Sequence, residues 1–279
     1  MILQKLFLLF LLLFSHLHSQ EIKERKIVTF APLLTSKKSE ILKEFLPLFN
    51  YIEKSTGVKT KFLFEKDYSK LIEKFKQNKI DILLLGPLPY VKLNQINKFN
   101  MPIIGFKQKD GNPYYRCVLA KFAKDKISFN DRLKVAPTQP LSTCGYYMTN
   151  ILLKEKFNLS LKNQEYNYTM SHYNAIIGVL DGDYDVAGVK DSTADDFRTL
   201  GVRAVAKSGY LPGFSLIVNT RTLPKYQIKT LQNAILSIKE STYKEWQGIS
   251  SNGFVKANKN MYENLEVNFK TIPNRGNMK

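Results

Sequence analysis

The chain has 279 residues, of which 42 are Lys or Arg and 24 are Asp or Glu, for a formal charge of +18. The lysines are spread along the whole length, neither gathered in a tract nor interleaved with aromatics, which argues against nucleic acid as a partner and leaves solvated basic faces or a small anion. Two of the three histidines, His16 and His18, stand before residue 20, so the body of the chain keeps His172 alone and a multi-histidine metal centre is excluded.

Met1 to Lys5 lead into an apolar run from Leu6 to Phe14, and Ser15 to Gln20 then turn polar, which is the layout of a signal peptide with the small Ser19 at the cleavage point. The run is shorter than the ~20 residues a membrane span requires. Residues 1–19 are expected to be removed, and loss of Lys5 then leaves a charge of +17. No Cys lies near the cleavage point, so a lipid anchor is not expected. The mature protein is expected to be soluble in the periplasm, an oxidising compartment.

Lys26 to Ala31 reads as a buried strand, and Leu42 to Lys54 places Leu42, Phe45, Leu46, Phe49 and Ile52 at helical spacing before a closing Gly57. Thr60 to Phe64 is a second strand, Tyr68 to Lys76 a helix, and Ile80 to Leu85 an apolar strand ending at Gly86-Pro87. A second α/β unit follows, with strands at Leu133 to Ala136 and Asp185 to Val189 and helices at Thr143 to Lys156 and Tyr173 to Leu180. Tyr114 to Leu119 leads into that unit, and Phe214 to Val218 returns the chain to the first before a helix at Gln227 to Lys239. The pattern predicts an α/β protein of two lobes, each a mostly parallel sheet flanked by helices, with a cleft between them at the carboxyl ends of the strands. Residues 20–115 with 215–279 are expected to form lobe 1, residues 116–214 lobe 2, and the two crossings to act as hinges.

Four stretches fall at those strand ends: Gly86 to Tyr90, Tyr114 to Cys117, Ser142 to Tyr146, and Ser171 to Tyr173, with Lys190-Asp191-Ser192 nearby. Ser142-Thr143-Cys144-Gly145 opens a helix, where amides without intrahelical acceptors favour an anion. An ordinary helix cap by Ser142 or Thr143 fits the same residues.

Taken in order, Gly86-Pro87-Leu88-x-Tyr90, Tyr114-Tyr115, Ser142-Thr143-x-Gly145-Tyr146, Ser171-His172-x-x-Ala175 and Gly182-Asp183-x-Asp185-Val186-Ala187 resemble the motifs of the phosphate-, phosphonate- and phosphite-binding proteins of ABC importers. The resemblance runs from about Lys26 to Phe254. It implies a type 2 periplasmic binding protein, monomeric and without catalytic residues, cofactor or metal, that delivers a small phosphorus oxyanion to a transporter permease. By the same resemblance, Ser142 and Thr143, with the backbone at Cys144 and Gly145, grip the oxyanion. Tyr90 and Tyr115 wall the cleft, and His172 and Asp191 donate or accept from the second lobe, with no cation required.

Cys117 and Cys144 stand where that family usually has serine, and three readings remain open. They form a disulfide, worth roughly 3 kcal/mol for their separation; they line the cleft as free thiols for a soft ligand; or they are buried and inert. The second reading resembles the arsenite-binding periplasmic sensors that signal to a histidine kinase. A cysteine hydrolase built on Cys144, His172 and Asp191 is a further arrangement to test. Glu165-Tyr166-Asn167-Tyr168-Thr169 matches an acid-extended Asn-glycosylation pattern, and an edge strand accounts for the same residues.

Overall fold

The structure is a computed structural model that describes residues 24–34, 36–129, 132–263 and 265. The expected signal peptide lies outside the described residues. The first sheet is built from β1 (Ile27–Ala31), β2 (Lys59–Phe62), β3 (Ile82–Leu85) and β4 (Asn100–Phe106). Between them run α1 (Lys38–Thr56), α2 (Tyr68–Lys76) and α3 (Pro87–Ile96). Helix α1 forms because Ile41, Phe45, Leu48, Phe49 and Ile52 share one buried face, and it stops at Gly57, whose φ of 75° lets its N–H reach the Glu53 carbonyl. Asp67 starts α2 by accepting the Ser69 and Lys70 amides.

The chain then leaves through β5 (Tyr114–Tyr115) and builds a second sheet from β6 (Cys117–Phe122), β7 (Lys134–Ala136), β8 (Glu165–Tyr166), β9 (Val186–Lys190) and β10 (Val202–Lys207). It returns through β11 (Leu211–Pro212), which pairs antiparallel with β5, so the two crossings form one short ribbon. β12 (Ser215–Asn219) and β13 (Phe254–Lys256) complete the first sheet. The strand orders are β13-β4-β12-β3-β1-β2 and β10-β6-β9-β7-β8.

The sheets are mixed, where mostly parallel ones were expected. Pairs β1/β2, β1/β3, β7/β8 and β7/β9 are parallel, as βαβ crossovers require, while β12 runs antiparallel to β3 and β6 antiparallel to β9. The cause lies in the registers. Ser215 pairs with Leu85 and Cys117 with Lys190, so each crossing enters its sheet at the end where the parallel strands finish and must run back against them. The same geometry gathers Gly86, Lys190 and both crossings at one place.

One apolar core packs Phe30, Phe45, Phe49 and Phe106 between the first sheet and α1, and another packs Val118, Ala120, Ala187 and Val189 against Ala175, Ile176 and Val179 of α5 (His172–Leu180). A third cluster runs continuously from Leu83, Leu85 and Leu88 to Leu119, Val135 and Leu153, so buried side chains join the two halves beside the cleft. No described helix is long and apolar enough to cross a membrane. β8 is the edge strand of its sheet, and the Asn167 that follows it is exposed.

Candidate functional site

A cavity of about 320 Å³ opens between the two halves. The first half contributes Leu33, Tyr68, Gly86, Phe214 and Ile249, and the crossing contributes Tyr115. The second half supplies the polar wall, with Thr138, Gln139, Ser142, Thr143, Ser171, His172, Lys190 and Thr193.

The helix start is a π-helical turn over Thr143–Met148, with the Tyr147 N–H bonded to the Ser142 carbonyl at 3.2 Å, and it continues into α4 (Thr149–Phe157). Ser142 caps it by accepting the Gly145 N–H at 3.0 Å, so Ser142 is a helix cap as well as a cavity residue. Its hydroxyl hydrogen remains available to donate. The amides of Thr143 and Cys144 precede the first intrahelical bonds and carry the positive end of the helix. Only glycine fits at position 145, because a Cβ there would lie 1.9 Å from Thr138 Oγ1.

Thr143 Oγ1 accepts the Leu88 N–H at 3.1 Å, which links α3 of the first half to the helix start. Burial raises the pKa of Tyr115, and also that of Tyr68 across the cavity, so both phenols stay protonated donors.

Burial pushes His172 down to about 4, helped by the nearby Lys190 charge and opposed by a hydrogen bond to the Gly188 backbone, so the imidazole is neutral near pH 7. Its Nδ1 is buried with no partner. Lys190 closes β9, donates to Gln108 Oε1 across the cleft and lies 5.0 Å from the Tyr115 ring centroid. Burial lowers its pKa to about 8. The Met170 backbone, at φ 68°, takes a left-handed turn at the cavity wall just before Ser171 caps α5 through the Asn174 N–H.

Of the residues expected from the sequence, Tyr115, Ser142, Thr143, Cys144 and His172 line this cavity together. Four do not. Tyr90 falls on the inward face of α3, and its ring packs 4.2 Å from that of Tyr262 in the core. Gly145 turns its amide to Ser142 and packs against Thr138. Asp191 is the first residue of a short helix, where its carboxylate accepts the Ser192 N–H, and it borders a neighbouring cavity instead. Cys117 is sealed behind the wall in a disulfide with Cys144, at a Cα–Cα distance of 5.0 Å. The disulfide leaves no free thiol, which removes both the soft-ligand site and a Cys144 nucleophile. Lys190, noted in the sequence only as a neighbour of the four stretches and not among the expected site residues, also lines the cavity. The site was expected to need no cation, yet a lysine ends the apolar run Val186 to Val189, opposite Cys117 in the ladder and hence on the same face as it. Tyr68, Thr138, Gln139 and Thr193 were missed as well, having no motif around them.

The cavity is lined by residues that carry hydroxyls, helix-start amides and one ammonium, a donor set whose chemistry suits an oxyanion.

Comparison with known proteins gives the same answer. The model of the family described as "ABC transporter, phosphonate, periplasmic substrate-binding protein" matches residues 30–262. The Phosphate-import protein PhnD of Mycolicibacterium smegmatis is 26% identical over 227 residues, covering 73% of this chain and 70% of its own. The Phosphonates-binding periplasmic protein of Escherichia coli is 24% identical over 221 residues, covering 74% of this chain but 64% of its own, slightly under two thirds of that relative's length. The structure of PhnD1 from Prochlorococcus marinus in complex with methylphosphonate superposes with a TM-score of 0.71 at 15% identity, covering 86% of this chain and 95% of that one, which shows the shared fold. With the family matched over most of its length, the chain belongs to the periplasmic substrate-binding proteins of phosphonate ABC transporters.

Proposed function

We propose that the cavity between the halves is the ligand site and that it captures a small phosphorus oxyanion, a phosphonate, phosphite or phosphate, for delivery to the permease of an ABC importer. The observation that carries this reading is that Ser142, Thr143 and Cys144 of the helix start line one cavity together with Lys190. The lobes in this reading are residues 20–115 with 215–279 and residues 116–214, hinged at the β5/β11 ribbon, and the protein works as a periplasmic monomer. Capture without chemistry is supported by the wall itself, where Cys144 is tied up in a disulfide and offers no thiolate.

Calorimetric titration of the purified protein with phosphate, phosphite and methylphosphonate tests the reading. Saturable binding of at least one of them at micromolar concentration or below is expected, with loss of about tenfold or more on Ser142→Ala, as one charge-assisted hydrogen bond is worth ~1.5–3 kcal/mol. No binding of any of the three would defeat it.

A further inference from the structure

We propose that Lys190 makes this site selective for phosphorus oxyanions whose substituent carries no positive charge, and that ligands bearing an ammonium group are turned away. The inference rests on the oxyanion reading of the cavity and specifies its ligand class.

Among the described residues that line the cavity, Lys190 is the only one with a formal charge near neutral pH, and no lining residue is a carboxylate. Its ammonium is held in place, bonded to Gln108 Oε1 and set against the Tyr115 ring, on a strand whose Cα register pairs it with Cys117. Moving it into solvent to make way for a second cation would cost both contacts. The nearby carboxylates keep their charge but none lines the cavity: Asp191 accepts the Ser192 amide, Glu44 the Ile249 amide at 2.8 Å, and Asp110 bonds Asn112, and all three already act on the Lys190 ammonium. A ligand ammonium would meet hydroxyls and an amide side chain, which can accept hydrogen bonds but cannot offset a second positive charge beside Lys190. In an enclosed space of low dielectric, two like charges a few ångströms apart repel far more than they do in water. An uncharged or anionic substituent meets no such penalty.

Ethylphosphonate and aminomethylphosphonate are nearly the same size and differ in that one ends in a methyl and the other in an ammonium. Calorimetric affinities of the two at pH 7 and fixed ionic strength are expected to favour ethylphosphonate by tenfold or more. Lys190→Gln should weaken ethylphosphonate and bring the ratio towards one, Lys190→Glu should carry it past one, and Lys190→Arg should keep it. The ratio is the readout because loss of the Gln108 bond weakens both ligands alike, and thermal melts report whether each variant is folded. A wild-type ratio near one, or one favouring aminomethylphosphonate, would overturn the inference while leaving oxyanion capture intact, even if no variant folds. A ratio unchanged in folded Lys190→Gln would equally overturn the role of Lys190. If neither compound binds, and phosphate and methylphosphonate do not bind either, the oxyanion reading itself fails and takes this inference with it.

Discussion

Thr143 Oγ1 accepts the Leu88 N–H at 3.1 Å, although the two residues are 55 positions apart and belong to different halves of the molecule. The bond joins the start of α3 to the helix start on the cavity wall, so the cavity lies beside a contact that brings the halves together. A substitution at Thr143 should therefore act on closure and on ligand affinity at once.

Thr143→Val keeps the shape and removes the hydroxyl, leaving the buried Leu88 amide without its partner, at a cost of about 1–3 kcal/mol. Affinity for methylphosphonate should fall roughly five- to a hundredfold, and the scattering radius of the ligand-bound protein should shrink less than in wild type. Thr143→Ser should restore both. Equal affinity in the Val variant would show that the bond across the cleft is incidental.

The Cys117–Cys144 disulfide ties the first residue of β6 to the helix start over a sequence separation of 27. In the chain-entropy account such a link stabilises by roughly 3–4 kcal/mol, equivalent to a Tm shift on the order of 10 °C for a chain of this size. Melts with and without a reducing agent, and of the Cys117→Ser/Cys144→Ser double variant, should show that loss, with the variant insensitive to reductant. A wild-type melt that does not move on full reduction would contradict it.

Lys190 gives the site a pH signature. Its folded pKa, about 8, lies below the ordinary lysine value, so burial costs the charged form and the ligand-free protein should gain stability as pH rises from about 8 towards the unfolded value near 10.5. Ligand binding should respond in the opposite sense, because the oxyanion needs the ammonium: affinity holds below pH 8 and declines above it, by about tenfold per pH unit at the steepest. The neighbouring Asp191, Asp110 and Glu44 support the charged form and Lys109 opposes it. Calorimetry between pH 6.5 and 10 on wild type and Lys190→Gln separates the cases, the variant being expected to lack the alkaline decline. A decline that persists in Lys190→Gln would assign it to another group.

The elements were legible wherever a periodic apolar face stood between strong stop signals. Helix α2 begins and ends where Tyr68 and Lys76 predict, and Gly57 closes α1. Strand direction was not legible, because it depends on which end of the sheet the crossings enter, and that follows from the pairing of Ser215 with Leu85 and of Cys117 with Lys190. Within the site, Ser142, Thr143 and His172 stood out because a helix start and a lone histidine carry chemistry in their local sequence. Tyr90 misled because its motif opens a helix whose rotation turns the ring inward, and Asp191 because its carboxylate serves the turn that follows it. Lys190 was hidden among many lysines, and its difference from the others is burial against Tyr115 and Gln108, which only the fold supplies.

The central claim is that the wall made by Ser142, the Thr143–Cys144 amides and Lys190 holds the ligand. A crystal structure of the protein grown with saturating methylphosphonate tests it most directly. The phosphonate group should lie between the halves, with its oxygens within hydrogen-bond reach of the Ser142 hydroxyl, the helix-start amides and Lys190 Nζ, and with its methyl group turned away from the lysine. Density for the ligand in the neighbouring cavity bordered by Asp191 and Asp195, or anywhere outside this wall, would contradict the account.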